Sequence, residues 1–140
     1  MILFDKVSKI YQDSSIALDD VSLSILPKEF VSIVGHSGAG KTTLLKLLLA
    51  EEKPTMGQVF FGSEDIHSLN KNMINDLRRK IGMVFQDFRL LPNKTAYENI
   101  AFAMEVAGRS DEEIEADVPH VIELVDLGPK MWNFPNELSG

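Results

Sequence analysis

Gly35-His36-Ser37-Gly38-Ala39-Gly40-Lys41-Thr42 is the stretch of this 140-residue chain whose residue types and spacing can do chemistry. It fits G-x-x-x-x-G-K-[ST], which chance would place in a chain of this length on the order of once in a few hundred. Glycines at 35, 38 and 40 let the backbone turn successive N–H groups inward and leave no Cβ between main chain and phosphate. A helix opening at once after the loop adds the positive end of its dipole. Lys41 can reach the β- and γ-phosphates of a nucleotide, and the hydroxyl of Thr42 suits Mg²⁺. Ser37, Ala39 and Thr43 complete the cradle and the first helical turn. His36 sits at a variable loop position and is read as part of that cradle, not as a catalytic base. The competing reading is a glycine-rich turn without ligand. The expectation is a site for a nucleoside triphosphate with Mg²⁺.

Such a loop needs a strand before it and a helix after it. Phe30 to Val34 is short, β-branched and followed by glycine, and is read as the strand. Lys41 to about Ala50 is read as the helix, buried because its leucines face nearly all round. Met1 to Tyr11 and the alternating Val21, Leu23 and Ile25 are earlier strands. Gln58 to Phe61 and Ile81 to Phe85 are later strands, with a charged helix at about Asn72 to Lys80 between them. From Thr95 the pattern becomes helical. Thr95…Glu98 and Ser110…Glu113 are capping boxes, Gly108 closes the first helix, and Pro119 should kink or split the second. The acidic run from Asp111 to Asp117 reads as a solvated face. His67 and His120 are expected at the surface, and the three histidines show no metal-ligand spacing.

Composition narrows the class. Fourteen basic against twenty-one acidic residues give a net charge of -7, which counts against a nucleic-acid partner. The chain has no cysteine, so disulfides and thiolate chemistry are excluded. It has no apolar run of the roughly 18 residues that span a bilayer, and the start MILFDKVSK lacks the layout of a signal peptide. A soluble, cytoplasmic chain is expected.

With the loop in place, the flanking residues resemble those of the ABC-type ATPases, the nucleotide-binding domains of ATP-binding cassette proteins. Tyr11 stands where the family has an aromatic residue that stacks on adenine, although a packing tyrosine would look the same. Gln86, after an apolar strand, resembles the Q-loop glutamine that contacts Mg²⁺ and the attacking water. Leu138-Ser139-Gly140 resembles the start of the LSGGQ signature, whose serine and following helix bind the γ-phosphate held by the opposite subunit. Val84 to Asn99 and the opening MILFDKVSKIY are similar to the cell-division branch of the family.

The resemblance implies an α/β P-loop fold of ABC type: N-terminal antiparallel strands, part of a parallel core sheet, then a helical subdomain. The expected division is an ATP-binding core at 1–86 and a helical subdomain at 87–140. It also implies an ATP hydrolase working as a homodimer, peripheral on the inner face of the cell membrane. Its partner would be an FtsX-like integral membrane subunit reached through the Q-loop and helical subdomain. ATPases of lipoprotein-releasing or macrolide-export transporters are the alternative. The family's pattern continues past the signature to a Walker B strand ending Asp-Glu and a switch histidine, none of which lies in these residues. The expectation is therefore a chain truncated before the Walker B strand, without catalytic carboxylate and inactive alone. By itself it could act as an ATP-dependent docking module. A DNA- or ribosome-directed ATPase is disfavoured by the acidic charge.

Overall fold

A computed structural model describes residues 1–138. Two compact units emerge, Met1–Gly82 and a second from Met83 onward.

The first unit is built on a four-stranded antiparallel sheet. β1 (Ile2–Ile10) lies between β2 (Ile16–Ile25) and β3 (Met56–Phe61), and β4 (Glu64–Asp65) pairs with β3, giving the order β2-β1-β3-β4. A strict period of two would send Phe4 and Val7 to opposite faces, yet both are buried. A bulge resolves this. Asp5 to Ser8 takes three steps along β1 where Gln58 to Met56 takes two along β3, so the alternation changes phase between them. Lys6 turns left-handed there, at φ 49°. Gly57 faces it at φ 80°, and a Cβ on Gly57 would collide with the Lys6 carbonyl.

Two helices cover the sheet. α1 (Lys41–Leu48) sets Leu44 and Leu47 into a core with Phe4, Val7, Leu18, Val59 and Ile66, and α2 (Lys71–Arg79) adds Leu77. Leu45 is 39% exposed, so α1 is apolar on one broad face and not all round. Asn70 caps α2 by accepting from the Met73 N–H at 3.1 Å. Arg78 donates to the carbonyls of Leu49 (2.8 Å) and Ala50 (3.3 Å), satisfying acceptors that the end of α1 leaves open.

In the second unit α3 (Ala96–Val106) and α4 (Asp111–Leu124) pack through Ala101, Ile114, Val118 and Ile122. Both capping boxes form as the sequence predicts. The backbone N–H of Thr95 on Glu98, and that of Ser110 on Glu113, hold both carboxyls below the usual glutamate range. Gly108, at φ 82°, follows α3 and lets the chain turn away. Asn99 ties the incoming loop to α3, accepting from the Leu91 N–H (2.8 Å) and donating to the carbonyls of Leu91, Lys94 and Thr95. Tyr97 and Trp132 stack at 4.9 Å.

The structure corrects several expectations. α4 runs through Pro119 as one helix, giving up the hydrogen bond that the missing N–H would make without splitting. Residues 30–34 and 81–85, expected as strands, join no ladder among the described residues. Phe30 is 94% and Val84 90% exposed. Their residue types suit a strand, but a strand exists only beside a partner, and no described strand lies alongside them. The α/β class holds, with its sheet antiparallel throughout the described residues. His67, expected at the surface, is half-buried, and both ring nitrogens are buried without a hydrogen bond among the described residues.

Two outcomes follow for stability. Leu47, fully buried, should cost about 2–5 kcal/mol on truncation to Ala, whereas Leu45→Ala should cost under about 1 kcal/mol, measured by urea unfolding. Burial lowers the His67 pKa from 6.5, and Lys53 and Lys9 act in the same sense, outweighing Asp65 and the nearby Leu47 carbonyl. The unfolded chain then takes up the proton first as pH falls, so native stability should decline from about pH 6.5 downward. The Glu98 and Glu113 contributions, present above the ordinary glutamate value of 4.5, are lost only as pH falls further. Urea midpoints at pH 7.5 and 5.5 should differ less in His67→Leu than in the parent; an equal difference would show that another group carries the dependence.

Candidate functional site

The loop Gly35–Thr42 is formed, and its glycines have separate jobs. Gly38 (φ 81°) and Gly40 (φ 85°) are left-handed, and Gly40 is the N-cap of α1. Gly40 is buried, and a Cβ there would run into the Ala17 carbonyl and the Leu18 side chain on β2. At Gly38 a Cβ would meet open space, so only its backbone conformation demands glycine. Gly35 is not left-handed; a Cβ there would stand 3.1 Å from that of Ala39, so its role is to let the loop close on itself. His36, Ser37 and Ala39 are exposed. The Ala39 N–H closes a turn on the His36 carbonyl at 3.2 Å, and Nδ1 of His36 lies 2.7 Å from the Ser37 carbonyl.

The electrostatics of the turn suit an anion. Asn70, Thr95 and Ser110 cap α2, α3 and α4 with side-chain oxygens, but Gly40 offers α1 none, and the first turn of α1 holds no acidic residue. Its leading N–H groups are thus left to the loop and whatever binds there. Lys41 arches back over the loop, its Nζ donating to the carbonyls of Gly35 and His36, each at 2.7 Å. The ammonium is held beside the main chain that would surround a phosphate.

Thr42 is exposed, and its hydroxyl makes no hydrogen bond among the described residues. No group of three His, Asp or Glu able to hold a metal occurs among the described residues. A dedicated protein cage is therefore not built here. One free hydroxyl at a phosphate loop does fit Mg²⁺, which keeps its waters and takes one or two protein ligands beside phosphate oxygens.

Tyr11 lies just past the end of β1, half-buried, with its hydroxyl 3.4 Å from Oγ1 of Thr43. Thr43 is itself buried in the first turn of α1. An open cleft of about 660 Å³ lies beside the ring, lined among others by Lys9, Asp13, Ser15 and Glu52. Lys9 and Glu52 were not singled out from the sequence. Lys9 could have been, since it stands two residues before Tyr11 on a strand, a spacing that shares a face. Glu52 comes from the bend between α1 and β3, distant along the chain, and carries no such signal.

Gln86 belongs to the second unit and is exposed. The turn after it is tight: the Phe88 N–H donates to the Phe85 carbonyl, and Phe88 (φ 56°) and Arg89 (φ 48°) are both left-handed. The Arg89 guanidinium lies 3.9 Å from the Phe85 ring centroid. Ser139 and Gly140, the signature candidates, lie outside the described residues.

Comparison with known proteins agrees with this geometry. The pattern of the ABC transporter family matches residues 18–140. Over 140 residues the chain is 46% identical to the cell division ATP-binding protein FtsE of Bacillus subtilis, covering all of this chain and 61% of that protein. It is 47% identical to FtsE of Mycobacterium tuberculosis, with the same shares covered. Among solved structures, the ATP-binding cassette MJ0796, in a dimeric post-hydrolysis state bound to ADP and Pi, superposes with a TM-score of 0.89 at 34% identity. That match covers 99% of this chain and 63% of that one. The chain thus spans somewhat under two thirds of the length of these relatives.

The different surroundings of the glycines make a test. Gly38→Ala should cost about 1–2 kcal/mol for the left-handed backbone alone. Gly40→Ala, which also strikes the Ala17 carbonyl, should cost more. Urea unfolding of the two variants checks the order, and a reversal would show that the loop does not rest on β2 in this way.

Proposed function

The chain belongs to the ABC transporter family, and from that premise we propose that it binds ATP with Mg²⁺ on the Gly35–Thr42 loop. The observation that carries this reading is the uncapped start of α1, where left-handed Gly38 and Gly40 shape the loop and Lys41 lies across it. In the proposed mode the loop amides and the α1 terminus surround the phosphates, and Lys41 exchanges its carbonyl partners for phosphate oxygens. Thr42 is the Mg²⁺ ligand within this unit, and Gln86 a further contact to the metal and attacking water. His36, Ser37, Ala39 and Thr43 line the cradle, and Tyr11 receives the adenine. Ser139 and Gly140 begin the surface offered to the nucleotide of the opposite subunit.

In the whole protein we assign ATP hydrolysis, by a homodimer with two shared sites, to the driving of an FtsX-like integral membrane subunit in cell division. The names of the FtsE relatives and the dimeric state of the MJ0796 cassette support this assignment. We assign the ATP-binding core to residues 1–86, of which 83–86 belong to the second compact unit, and the helical subdomain that, with the Q-loop, meets the membrane partner to 87–140. No described helix is long and apolar enough to cross a membrane. We assign attachment on the inner face of the membrane to that partner.

Lys41→Ala should weaken Mg-ATP binding at least tenfold in equilibrium titration with a fluorescent ATP analogue, with the unfolding transition retained. Binding that survives the substitution unchanged would sink the loop assignment.

A further inference from the structure

Lys9 is held more firmly than a solvated lysine. Its Nζ donates to Oε2 of Glu52 at 2.8 Å and to the Lys53 carbonyl at 2.9 Å, and its side chain is only 12% exposed. The same ammonium lies over the Tyr11 ring, 5.0 Å from its centroid. The bond from Lys9 keeps the Glu52 carboxyl below the usual glutamate range. Tyr11 is therefore constrained twice: Lys9 sits against one face, and its hydroxyl reaches Oγ1 of Thr43 at 3.4 Å. A tyrosine that only filled a core would need neither constraint. This one is half-buried beside an open cleft.

We propose that Lys9, anchored by Glu52 and the Lys53 carbonyl, is a positioning residue for the nucleobase: it backs one face of Tyr11 and keeps the other face set for stacking. The inference rests on the nucleotide-binding reading above and adds to it the residue that makes Tyr11 selective for a base-bearing ligand. An aromatic ring free to rotate about its side-chain torsions must lose that freedom when a base stacks on it. A ring already fixed by a cation on its far face loses less. In that reading the phosphates meet the loop amides and Lys41 while the base meets the face of the ring, so the two parts of the ligand report separately.

The test compares ATP with inorganic tripolyphosphate, which carries the phosphates and no base, by competition against a fluorescent nucleotide on the full chain. Lys9→Met keeps the apolar stem and removes the charge. It should weaken ATP binding about three- to thirtyfold while leaving tripolyphosphate within about twofold of the parent, as a stacking contribution predicts. Lys9→Arg, whose guanidinium can also lie on the ring, should restore most of the ATP affinity. In a Tyr11→Leu background Lys9→Met should have no further effect. Equal losses for ATP and tripolyphosphate would make Lys9 a structural residue and overturn the proposal, as would an unchanged ATP affinity or a loss that persists without Tyr11. Glu52→Gln, which leaves Lys9 present without its ionic anchor, is the milder variant should Lys9→Met unfold, and it should shift ATP alone in the same direction. Failure of the underlying reading looks different: there Lys41→Ala would leave both ligands bound.

Discussion

Everything at the site depends on how closely the chain can pass β2 at Gly40. The residue is buried and left-handed, and the Ala17 carbonyl occupies the space a side chain would take. That contact fixes where α1 begins. Leu44 and Leu47, the fourth and seventh residues of α1, enter the core with Phe4, Val7 and Val59. The phosphate loop is therefore not a flap laid over a finished domain. Gly40, its last residue before α1, is buried against β2, and the apolar packing that stabilises the first unit also sets the direction of the leading N–H groups of α1. A larger residue at Gly40 would have to shift the loop, the helix or the strand, and close-packed interiors resist all three.

The bulge in β1 solves a related problem at the other side of the sheet. Phe4 and Val7 can both face α1 only because an extra residue is inserted between them, and Gly57 makes room for the Lys6 carbonyl that this insertion pushes out. With the phase restored, the strand ends by placing Lys9 beside Glu52 and Tyr11 beside Thr43. A one-residue slip would send Val7 outward and carry Lys9 and Tyr11 to the wrong face. Core packing and the placement of the site thus share one register.

What the sequence made legible follows the range of the interactions involved. The capping boxes of α3 and α4 and the phosphate loop are local devices, complete within a few residues, and all were readable. The segments 30–34 and 81–85 carry strand-like residues, but pairing needs a neighbour that residue type does not supply, so residue type alone overstated them. Of the two outcomes open for Pro119, splitting does not occur: the loss of one hydrogen bond is tolerated when Ile114, Val118 and Ile122 hold the helix against α3. His67 looked like an isolated surface histidine because its burial comes from tertiary packing. Lys9 carries no local signal beyond its spacing from Tyr11, since its meaning lies in Glu52, distant along the chain.

The run Lys41-Thr42-Thr43 shows why so much function can be compressed into one turn. Successive helical residues point about 100° apart, so three in a row serve three directions. Lys41 folds back over the loop carbonyls, Thr42 faces solvent where a hydrated cation can reach it, and Thr43 turns inward to Tyr11. In the proposed binding mode phosphate, metal and base are thereby referred to a single turn, whose orientation Gly40 sets on one side and the leucine core on the other. A ligand bound to any one of the three is registered against the other two without a moving part, because one helical turn holds all three side chains at fixed angles.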